Sequence, residues 1–521
     1  MEKTCKQCSA HFIITKKDQD FYTKVSPVFQ GQKYQIPTPS LCPDCRQQRR
    51  LAFRNERNLY HRKCSLSNQP IISIYSSDKN ETVYAPAEWR KDHWDAIEYG
   101  ITYDFTEPFF EQMNDLFKQV PKIAIWNING KNADYNHCAF DNTNCHMNFN
   151  TDRCQDSSFG YRLNNCQNTI DCSSLKNSSD CYECLDSNNI QQATFSQNCQ
   201  NSKNIHHCLD CTDCKNCFAC VGLNNKQFYI FNTKYTEKDW NEEMKKINQQ
   251  PISEIQKNIE SLKKDAQLPS LHNHNATNCS GNFIFHGENC KNCFDIEHGK
   301  NLTHMTYAAS HNSDCMDGYA CGFCENSYEI TSGEKLKNSS FILWIDNGPH
   351  DSMYCIQCID NCSNLFACVG LKNKQYCIFN KQYTETEYNE LVPKIINHMK
   401  ETGEWGEFFP IEMSPFGYNE TTANDYYPLS KQQVQKKQWK WHTDTSEQNY
   451  FGKKYIIPEN IEDTDENICQ HILSCEINGQ LYKITPQEFL FYKKWNINIP
   501  RICPEQRYKE RQGKRTIAEL L

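Results

Sequence analysis

Residues 199–220 read CQNSKNIHHCLDCTDCKNCFAC, and this stretch decides how the middle of the chain is interpreted. A cysteine stands at every third position from Cys208 to Cys220. A short phrase also recurs in this stretch: a cysteine, any residue, an Asn or Asp, and a small residue or cysteine, as in CQNS from Cys199 and CKNC from Cys214. Further copies lie on both sides, namely CQDS from Cys154, CQNT from Cys166, CKNC from Cys290, CENS from Cys324 and the looser CSNL from Cys362. Recurrence of one phrase indicates stacked, equivalent units.

The spacing of these copies shapes the prediction. Those that start at Cys154, Cys166, Cys199 and Cys214 are 12, 33 and 15 residues apart, which favours coils with loops of variable length over a fixed helical repeat. We therefore expect a mainly β protein built around a parallel β-helix-like solenoid rich in Cys and Asn. In this solenoid, Cys and Asn should occupy equivalent inward positions and stack from coil to coil.

A longer repeat divides the solenoid in two. The segment FACVGLNNKQFYIFNTKYTEKDW at 218–240 returns as FACVGLKNKQYCIFNKQYTETEY at 366–388. We predict two lobes, one over 131–265 and one over 266–402, in which the repeated segments have one shared conformation.

Each copy of the long repeat leads into a helical pattern. The first pattern runs near 237–264 with a break at Pro251, and the second near 385–400. Thr236 and Thr384 are suitable N-caps because each precedes a Glu at the start of its pattern. We expect these helices to cap the lobes, since an open solenoid end exposes apolar core and unpaired strand edges.

Composition bounds the setting of the protein. The 521 residues include 32 cysteines and 12% aromatic residues, and the net charge is -8. The N-terminal sequence MEKTCKQC lacks the apolar core of a signal peptide, and no segment reaches the roughly 18 apolar residues of a membrane helix. We therefore expect a cytoplasmic protein whose cysteines are thiols that bind metal or pack. For the repeat cysteines we favour neutral packed thiols over additional thiolate metal sites.

The first 63 residues contain a strong metal-binding pattern. Cys5 and Cys8 form one CxxC pair, and Cys42 and Cys45 form a second. Two such knuckles can direct four thiolates at one tetrahedral Zn²⁺. The sequence predicts a zinc ribbon with a basic tail over 1–63 and one structural zinc ion, because four thiolates leave no open coordination position.

The end of the chain repeats this pattern in a degenerate form over 466–521. Aligned on the two CxxC pairs, Cys475 corresponds to Cys8, and Ile472 and Gln506 stand where the first and last cysteines would be. A second zinc site is an open alternative to a metal-free relic. Such a site would draw on Cys469, His471, Cys475 and Cys503.

Each ribbon runs into a basic segment. An arginine row at helical spacing beside a zinc site is able to contact phosphates, and the residues that we assign to this role are Arg46, Arg49, Arg50 and Arg54. The alternative is that the arginines form a solvated face or pair with some of the 64 acidic residues.

Two segments complete the organisation. Residues 64–130 predict an aromatic-rich α+β connector with strands near 71–75 and 82–84 and a helix near 108–117. Residues 403–465 predict a Pro- and aromatic-rich stretch and a linker. The connector aromatics that we expect in the core are Trp89, Trp94, Phe105, Phe109 and Phe110.

Several motifs together resemble a known family. They are CPDCRQQRRLAFRNERNLYHRKC at 42–64, YGITYDFTEPFFEQM at 99–113, FACVGLKNKQYCIFNKQYT at 366–384 and FLFYKKWNINIPRICP at 489–504. With these motifs the chain resembles a family of cysteine-rich zinc-ribbon proteins of candidate-phyla bacteria. The resemblance implies ribbons at both ends but no activity. The family's C-terminal ribbon usually keeps its last cysteine pair, so Gln506 argues against zinc there.

Three functions are compatible with these features. The first is a zinc-binding, non-enzymatic scaffold that presents a solenoid surface to a protein partner. The second is binding of RNA or DNA through the ribbon and its arginines. The third is a carbohydrate-active β-helix enzyme, although the sequence offers no pair of acids for it. No nucleotide-binding, nucleophile-elbow or HExxH motif is present, which makes an enzyme the less favoured class.

Overall fold

The computed structural model describes residues 1–163, 169–173, 179–247, 250–308, 311–322, 324–333, 337–344, 348–443 and 455–515. The chain forms two compact units. Unit 1 comprises the described residues of 1–124 and 271–442, and unit 2 those of 125–270 and 443–516. Each unit contains one solenoid lobe and one small module from an end of the chain.

The first part of unit 1 holds a small module and a connector. The module consists of β1 (Glu2–Thr4), β2 (His11–Ile13), α1 (Lys16–Val25), β3 (Val28–Phe29), β4 (Gln32–Lys33) and α2 (Pro43–Leu51). The connector consists of β5 (Tyr60–Lys63), β6 (Pro70–Ser73), β7 (Val83–Tyr84), α3 (Pro86–Arg90), α4 (Phe109–Gln119) and β8 (Lys122–Ile123). The connector strands and helix that the sequence predicts are therefore present. Four of its five predicted core aromatics are buried, whereas Phe105 is 45% exposed.

The first lobe belongs to unit 2. Its strands are β9 (Asn127–Ile128), β10 (His137–Phe140), β11 (Phe149–Asp152), β12 (Ser179–Tyr182), β13 (Gln191–Thr194), β14 (Lys203–His206), β15 (Lys215–Phe218), β16 (Gln227–Ile230) and β17 (Thr233–Lys234). Helices α5 (Glu237–Ile247) and α6 (Ile252–Asp265) follow, with Pro251 as the N-cap of α6. The predicted helical pattern and its break are confirmed.

The second lobe belongs to unit 1. Its strands are β18 (Gly281–Phe285), β19 (Cys293–Glu297), β20 (Gly299–Lys300), β21 (Thr306–Ala308), β22 (Asn312–Ser313), β23 (Ser340–Leu343), β24 (Met353–Ile356), β25 (Ser363–Phe366), β26 (Gln375–Ile378) and β27 (Lys381–Gln382). Helix α7 (Glu385–Glu401) follows, and Thr384 caps it through a capping box as predicted.

The rest of the chain is divided between the units. In unit 1, α8 (Thr422–Tyr426) and α9 (Lys431–Lys436) lie in the Pro- and aromatic-rich stretch, whose side chains pack with Leu51, Ala52 and Tyr319 in one apolar cluster. In unit 2, a second small module consists of β28 (Leu473–Ser474), β29 (Leu481–Tyr482), α10 (Pro486–Trp495) and α11 (Pro504–Gly513).

Both lobes are parallel β-solenoids, which confirms the predicted fold class. Paired residues on neighbouring coils are mostly 12 positions apart, as in the pairing of Lys203 with Lys215. A few coils have 11 or 13 residues. Among the described strands of the two lobes, only the last strand of each lobe pairs antiparallel, β17 with β16 and β27 with β26.

Each coil is built from triplets of residues. One residue in three has a positive φ near 50°, for example Asn198, Asn201 and Asn204. Asn and Asp tolerate this left-handed conformation better than other L-residues with a Cβ. The residue that follows each of them points into the coil and is buried, as Cys199 and Ser202 are. We call the residue with positive φ the corner of its triplet. The recurring phrase therefore consists of an inward cysteine, a linking residue, a corner Asn or Asp and a second inward residue.

This triplet geometry corrects two expectations. The spacings of 12, 33 and 15 residues between phrases do not reflect variable loops; all are multiples of three, so the phrase fits any side of a regular coil. Cysteines occupy inward positions as predicted, but the Asn of the phrase stands at the corner and not inside. A few asparagines, such as Asn142 and Asn148, do lie inside and are fully buried. The copy at Cys166 lies outside the described residues.

The repeated long segments have the same structure in both lobes. Phe218 and Phe366 are both buried, as predicted. The side chain of Asn232 accepts from Val221 N–H and donates to Val221 C=O. Asn380 makes the same two bonds to Val369, so the two segments have one shared hydrogen-bonding pattern.

Candidate metal centre and docking helices

The N-terminal module brings its four predicted ligands together. Strands β1 and β2 form a hairpin whose tight turn holds Cys5 and Cys8, and Ser9 takes a positive φ to close it. Cys42 is the N-cap of α2, and Cys45 lies in its first turn. The second pair is therefore at a helix start and not in the second knuckle that a ribbon would have.

The geometry of these thiols fits a structural zinc ion. The four Sγ atoms all lie within 4.8 Å of one another, and the Sγ atoms of Cys8 and Cys42 are 3.7 Å apart. Tetrahedral zinc is bound by sulfur ligands at about 2.3 Å, which requires sulfurs that converge in this way. Hydrogen bonding from the Cys45 thiol is the largest influence on Cys42 and lowers the pKa of Cys42 to about 5. Burial raises the pKa of Cys8, and the hydrogen bond with Cys42 raises that of Cys45. Without the ion the site therefore favours the thiolate of Cys42, and zinc binding displaces the protons of Cys8 and Cys45.

The arginines of α2 face the second lobe. Arg46 donates two hydrogen bonds to the carboxylate of Asp317, at 2.6 and 3.0 Å. Arg50 lies 3.7 Å from the same carboxylate. Arg49 donates to both oxygens of Glu329, at 2.7 and 2.9 Å. These bonds fix α2 on one side of the solenoid.

All four arginines assigned to phosphate contact are buried. Arg54 completes the set with a 2.7 Å bond to Glu56. Their exposures are 2% for Arg46, 8% for Arg49, 1% for Arg50 and 5% for Arg54. In this structure the arginines instead pair with acidic residues, which is the alternative role that the sequence left open. They do not form an exposed basic patch.

The C-terminal module repeats this docking in unit 2. Arg507 and Arg511 of α11 stand where Arg46 and Arg50 stand in α2, counted from the Cys-Pro at each helix start. Arg507 donates to Asp171, and Arg511 donates to Glu183 at 2.7 Å. Arg515 makes a further ion pair with Asp186.

A pair of tyrosines reinforces the equivalence of the two docking sites. Tyr22 of α1 packs edge-on against Tyr328 of the second lobe, with ring centroids 5.1 Å apart. Tyr492 of α10 packs edge-on against Tyr182 of the first lobe at 5.8 Å. Each end module therefore binds the lobe of its own unit through the same combination of arginines and one tyrosine.

The second metal site is not formed. Among the residues that the structure describes, the only group of three or more converging metal ligands is the N-terminal one. Cys469, His471, Cys475 and Cys503 therefore do not converge as a set of ligands. Only Cys475 and Cys503 of these four contact each other. His471 instead stacks on Tyr455, with ring centroids 4.4 Å apart.

The reason is a shift in the alignment of the two modules. Cys475 N–H donates to the carbonyl of Gln480, and Gly479 N–H donates to that of Cys475. The turn of β1 and β2 has the same two bonds around Cys5. Cys475 is thus the equivalent of Cys5 and not of Cys8, whose place is taken by Asn478. Together with Gln506, this leaves two of four ligands.

The connector hairpin of β5 and β6 is a third knuckle, which the sequence analysis missed. Cys64 N–H donates to Gln69 C=O, and Asn68 N–H donates to Cys64 C=O. The Cys64 sulfur accepts from the backbone N–H of Ser67 and of Ala85, the residue before α3. A Cys-x2-Ser followed by an Ala-Pro helix start is the sequence signal that would have indicated it.

Comparison with known proteins agrees with the first module. A family model described as a probable treble clef domain matches residues 1–54. A treble clef combines a knuckle with a helix start, which is the arrangement of the four cysteines. Comparisons with curated proteins and with solved structures gave no match. Among the described residues, no helix is both long and apolar enough to cross a membrane.

Proposed function

We propose that the protein is a non-enzymatic scaffold that binds a protein partner through the outward faces of its solenoid lobes. The zinc ion has a structural role in this proposal, because four thiolates leave no position for a substrate or water. The end modules are internal braces, since their arginines are used within the units. We assign to the partner those sides of the coils that the end modules leave uncovered.

The observation that carries the proposal is the presence of amide rows. These are corner Asn and Asp side chains that are exposed or half-buried and are hydrogen-bonded from coil to coil. In the first lobe Asn132 donates to Asn144 and Asn144 to Asp156. Asn189 donates to Asn201 on a later pair of coils. One further row, in the second lobe, joins Asn278, Asn289, Asn301 and Asp314 in succession.

Such rows are well suited to recognition. Neighbouring coils are about 4.8 Å apart, as strands in any sheet are. The rows therefore repeat one polar group at a fixed interval on a rigid support. Their side chains are ordered before binding, which lowers the entropic cost of forming an interface.

The test uses Asn→Asp changes, which keep the shape and the left-handed preference of the corner but remove its donor. Full-length wild type, the N189D/N201D variant, the N278D/N289D variant and an N241D control on exposed α5 are cross-linked and purified from the native host. We expect the same protein partner with wild type and N241D, and at least tenfold less with one of the row variants. Equal capture by all four proteins would contradict the proposal.

Nucleic-acid binding stays an alternative prediction with its own readout. A salt-dependent shift of RNA or DNA by the zinc-loaded protein, with a steep loss of affinity at higher salt, would favour it. The burial of Arg46, Arg49, Arg50 and Arg54 leads us to expect no such shift. The carbohydrate-active enzyme also stays a prediction, which an assay of polysaccharide cleavage tests.

A further inference from the structure

The two cysteines that remain in the C-terminal module occupy paired ligand positions. Cys475 corresponds to Cys5 in the hairpin, and Cys503 corresponds to Cys42 as the N-cap of its helix. Asn478 and Gln506 take the other two positions. Two thiolates do not complete the tetrahedral set that structural zinc requires, so these cysteines need a different explanation.

The two thiols contact each other and have polar surroundings. Their side chains interact directly. The Cys503 thiol donates to the side-chain carbonyl of Gln480 at 3.3 Å, and the Asn478 amide donates to the Cys503 sulfur at 3.9 Å. The pair therefore lies in a hydrogen-bonded pocket between the hairpin and the start of α11.

Backbone N–H groups at the start of α11 and in the hairpin also stabilise one thiol as the thiolate. Burial opposes the charged form of Cys475, but backbone N–H groups of Cys503, Asn478 and Ile477 outweigh it, so the pKa of Cys475 is lowered. A thiolate held beside a second thiol is the arrangement that thiol–disulfide exchange requires.

We propose that Cys475 and Cys503 form a redox-active pair that closes to a disulfide by exchange with a small disulfide such as oxidised glutathione. The Cys475 thiolate attacks one glutathione sulfur, a mixed disulfide forms, and one glutathione thiolate leaves. The Cys503 thiol then loses its proton to the released glutathione thiolate, and its sulfur attacks the Cys475 sulfur and releases the second glutathione as a thiolate. The protein pair loses two electrons, and one glutathione disulfide is reduced to two thiols. One of their protons comes from Cys503, and the other comes from the solvent, to which Cys475 gave its proton on ionisation.

The disulfide would join the same two elements that zinc joins in the N-terminal module. One end lies in the turn of β28 and β29, and the other lies at the start of α11. Helix α11 carries Arg507 and Arg511, which hold the module on the first lobe. Closing the pair therefore replaces the missing metal as the link between the knuckle and the docking helix.

The experiment treats zinc-loaded, full-length protein with oxidised glutathione, blocks free thiols with N-ethylmaleimide and maps the peptides by mass spectrometry. We expect a linked peptide of Cys475 and Cys503, two hydrogens lighter than the reduced pair, with zinc content unchanged. Proteolysis of the C-terminal module should slow about tenfold or more after oxidation, because the cross-link restricts the unfolded chain.

Variants separate the pair from other thiols. C503S should abolish the linked peptide and leave Cys475 as a glutathione mixed disulfide, whereas C469S, a change at a half-exposed cysteine nearby, should leave the link intact. Recovery of both cysteines as alkylated thiols after oxidation of folded wild type would overturn the proposal. A second zinc ion that C475S releases would also overturn it, since the pair would then be a metal site.

Discussion

At the scale of single residues, the corner position explains why the lobes are rich in Asn and Asp, and the inward position explains why they are rich in Cys. A coil that turns after every third residue needs one residue in three at positive φ, and Asn and Asp meet this need at the least cost after Gly. The next side chain must fit a narrow interior. Cysteine is small, and its thiol can donate to a carbonyl two residues earlier, as Cys208 does to His206 and Cys211 to Leu209.

The first prediction tests the corner residue. Asn201 has a φ of 47°, so Asn201→Val places a β-branched side chain in the left-handed region. We expect a loss of about 1–2 kcal/mol of stability. Asn201→Gly and Lys203→Val, the latter in strand β14, should each change stability by less than half as much. Urea unfolding of the four proteins measures the difference, and equal losses for both valine variants would contradict the triplet geometry.

The second prediction concerns the buried carboxylate that α2 binds. Asp317→Ala leaves Arg46 and Arg50 buried without this partner, and we expect unit 1 to lose about 3–5 kcal/mol of stability. The control is Asp314→Ala, whose side chain is 39% exposed. Burial raises the pKa of Asp317, but the two arginines outweigh this and lower it. Its stabilising contribution should therefore be complete at neutral pH and be lost as the pH falls into the acid range in urea titrations.

At the scale of elements, a feature could be predicted from the sequence where its signal lies within a short stretch of the chain. The helix after Thr384, the knuckle of Cys5 and Cys8, and the parallel coils were predictable, because a cap, a CxxC spacing and a recurring phrase all act within a short stretch. The partners of Arg46 and Arg49 were not, since Asp317 and Glu329 lie far along the chain and nothing local marks them.

The C-terminal alignment failed for a related reason. Aligning on the cysteine spacing placed Cys475 opposite Cys8, whereas the hairpin bonds place it opposite Cys5. With two of four cysteines replaced, sequence spacing alone fits either register. Main-chain hydrogen bonding decides between them, and only the structure contains it.

The third prediction restores the lost ligands. If Asn478 and Gln506 occupy the positions of Cys8 and Cys45, the double variant N478C/Q506C should bind one additional zinc ion per chain. Zinc analysis after gel filtration measures the stoichiometry, and the single variants should bind it far more weakly. Failure of the double variant to gain zinc, while it stays folded, would contradict the corrected alignment.

The fourth prediction uses the capping residue of α10. Glu488 is fully buried, and loss of solvation, only partly offset by Arg507, raises its pKa to about 7. Because the folded protein holds this proton more tightly than the unfolded chain, the contribution of Glu488 is complete in mild acid and is lost as the pH rises through about 7. Wild type should lose on the order of 3 kcal/mol between pH 5 and pH 8 relative to Glu488→Gln, which keeps the capping bond. The prediction is wrong if the difference in unfolding free energy between wild type and Glu488→Gln is the same at pH 5 and at pH 8.

At the scale of the whole molecule, the chain is a duplicated design in which two equivalent docking sites are stabilised differently. Each unit contains a module whose helix places arginines on the acidic residues of its own lobe. In unit 1, four thiols converge at the start of that helix. Unit 2 keeps two, so its module depends on the ion pairs of Arg507, Arg511 and Arg515.

The last prediction follows from this difference. Structural zinc supplies much of the folding free energy of a small module, so a strong chelator, or Cys42→Ser, should unfold residues 1–54 and release α2 from the second lobe. Arg46 and Asp317 then become hydrated, and unit 1 should show faster amide exchange along α2 and α1. The C-terminal module should keep its protection, because it holds no such cluster among the described residues. Hydrogen exchange with mass spectrometry on the full chain follows both modules at once, each as a control for the other. Equal loss of protection in α2 and α11 would show that the two modules are not independently stabilised, and an unchanged α2 in zinc-free protein would show that the metal is not what holds it.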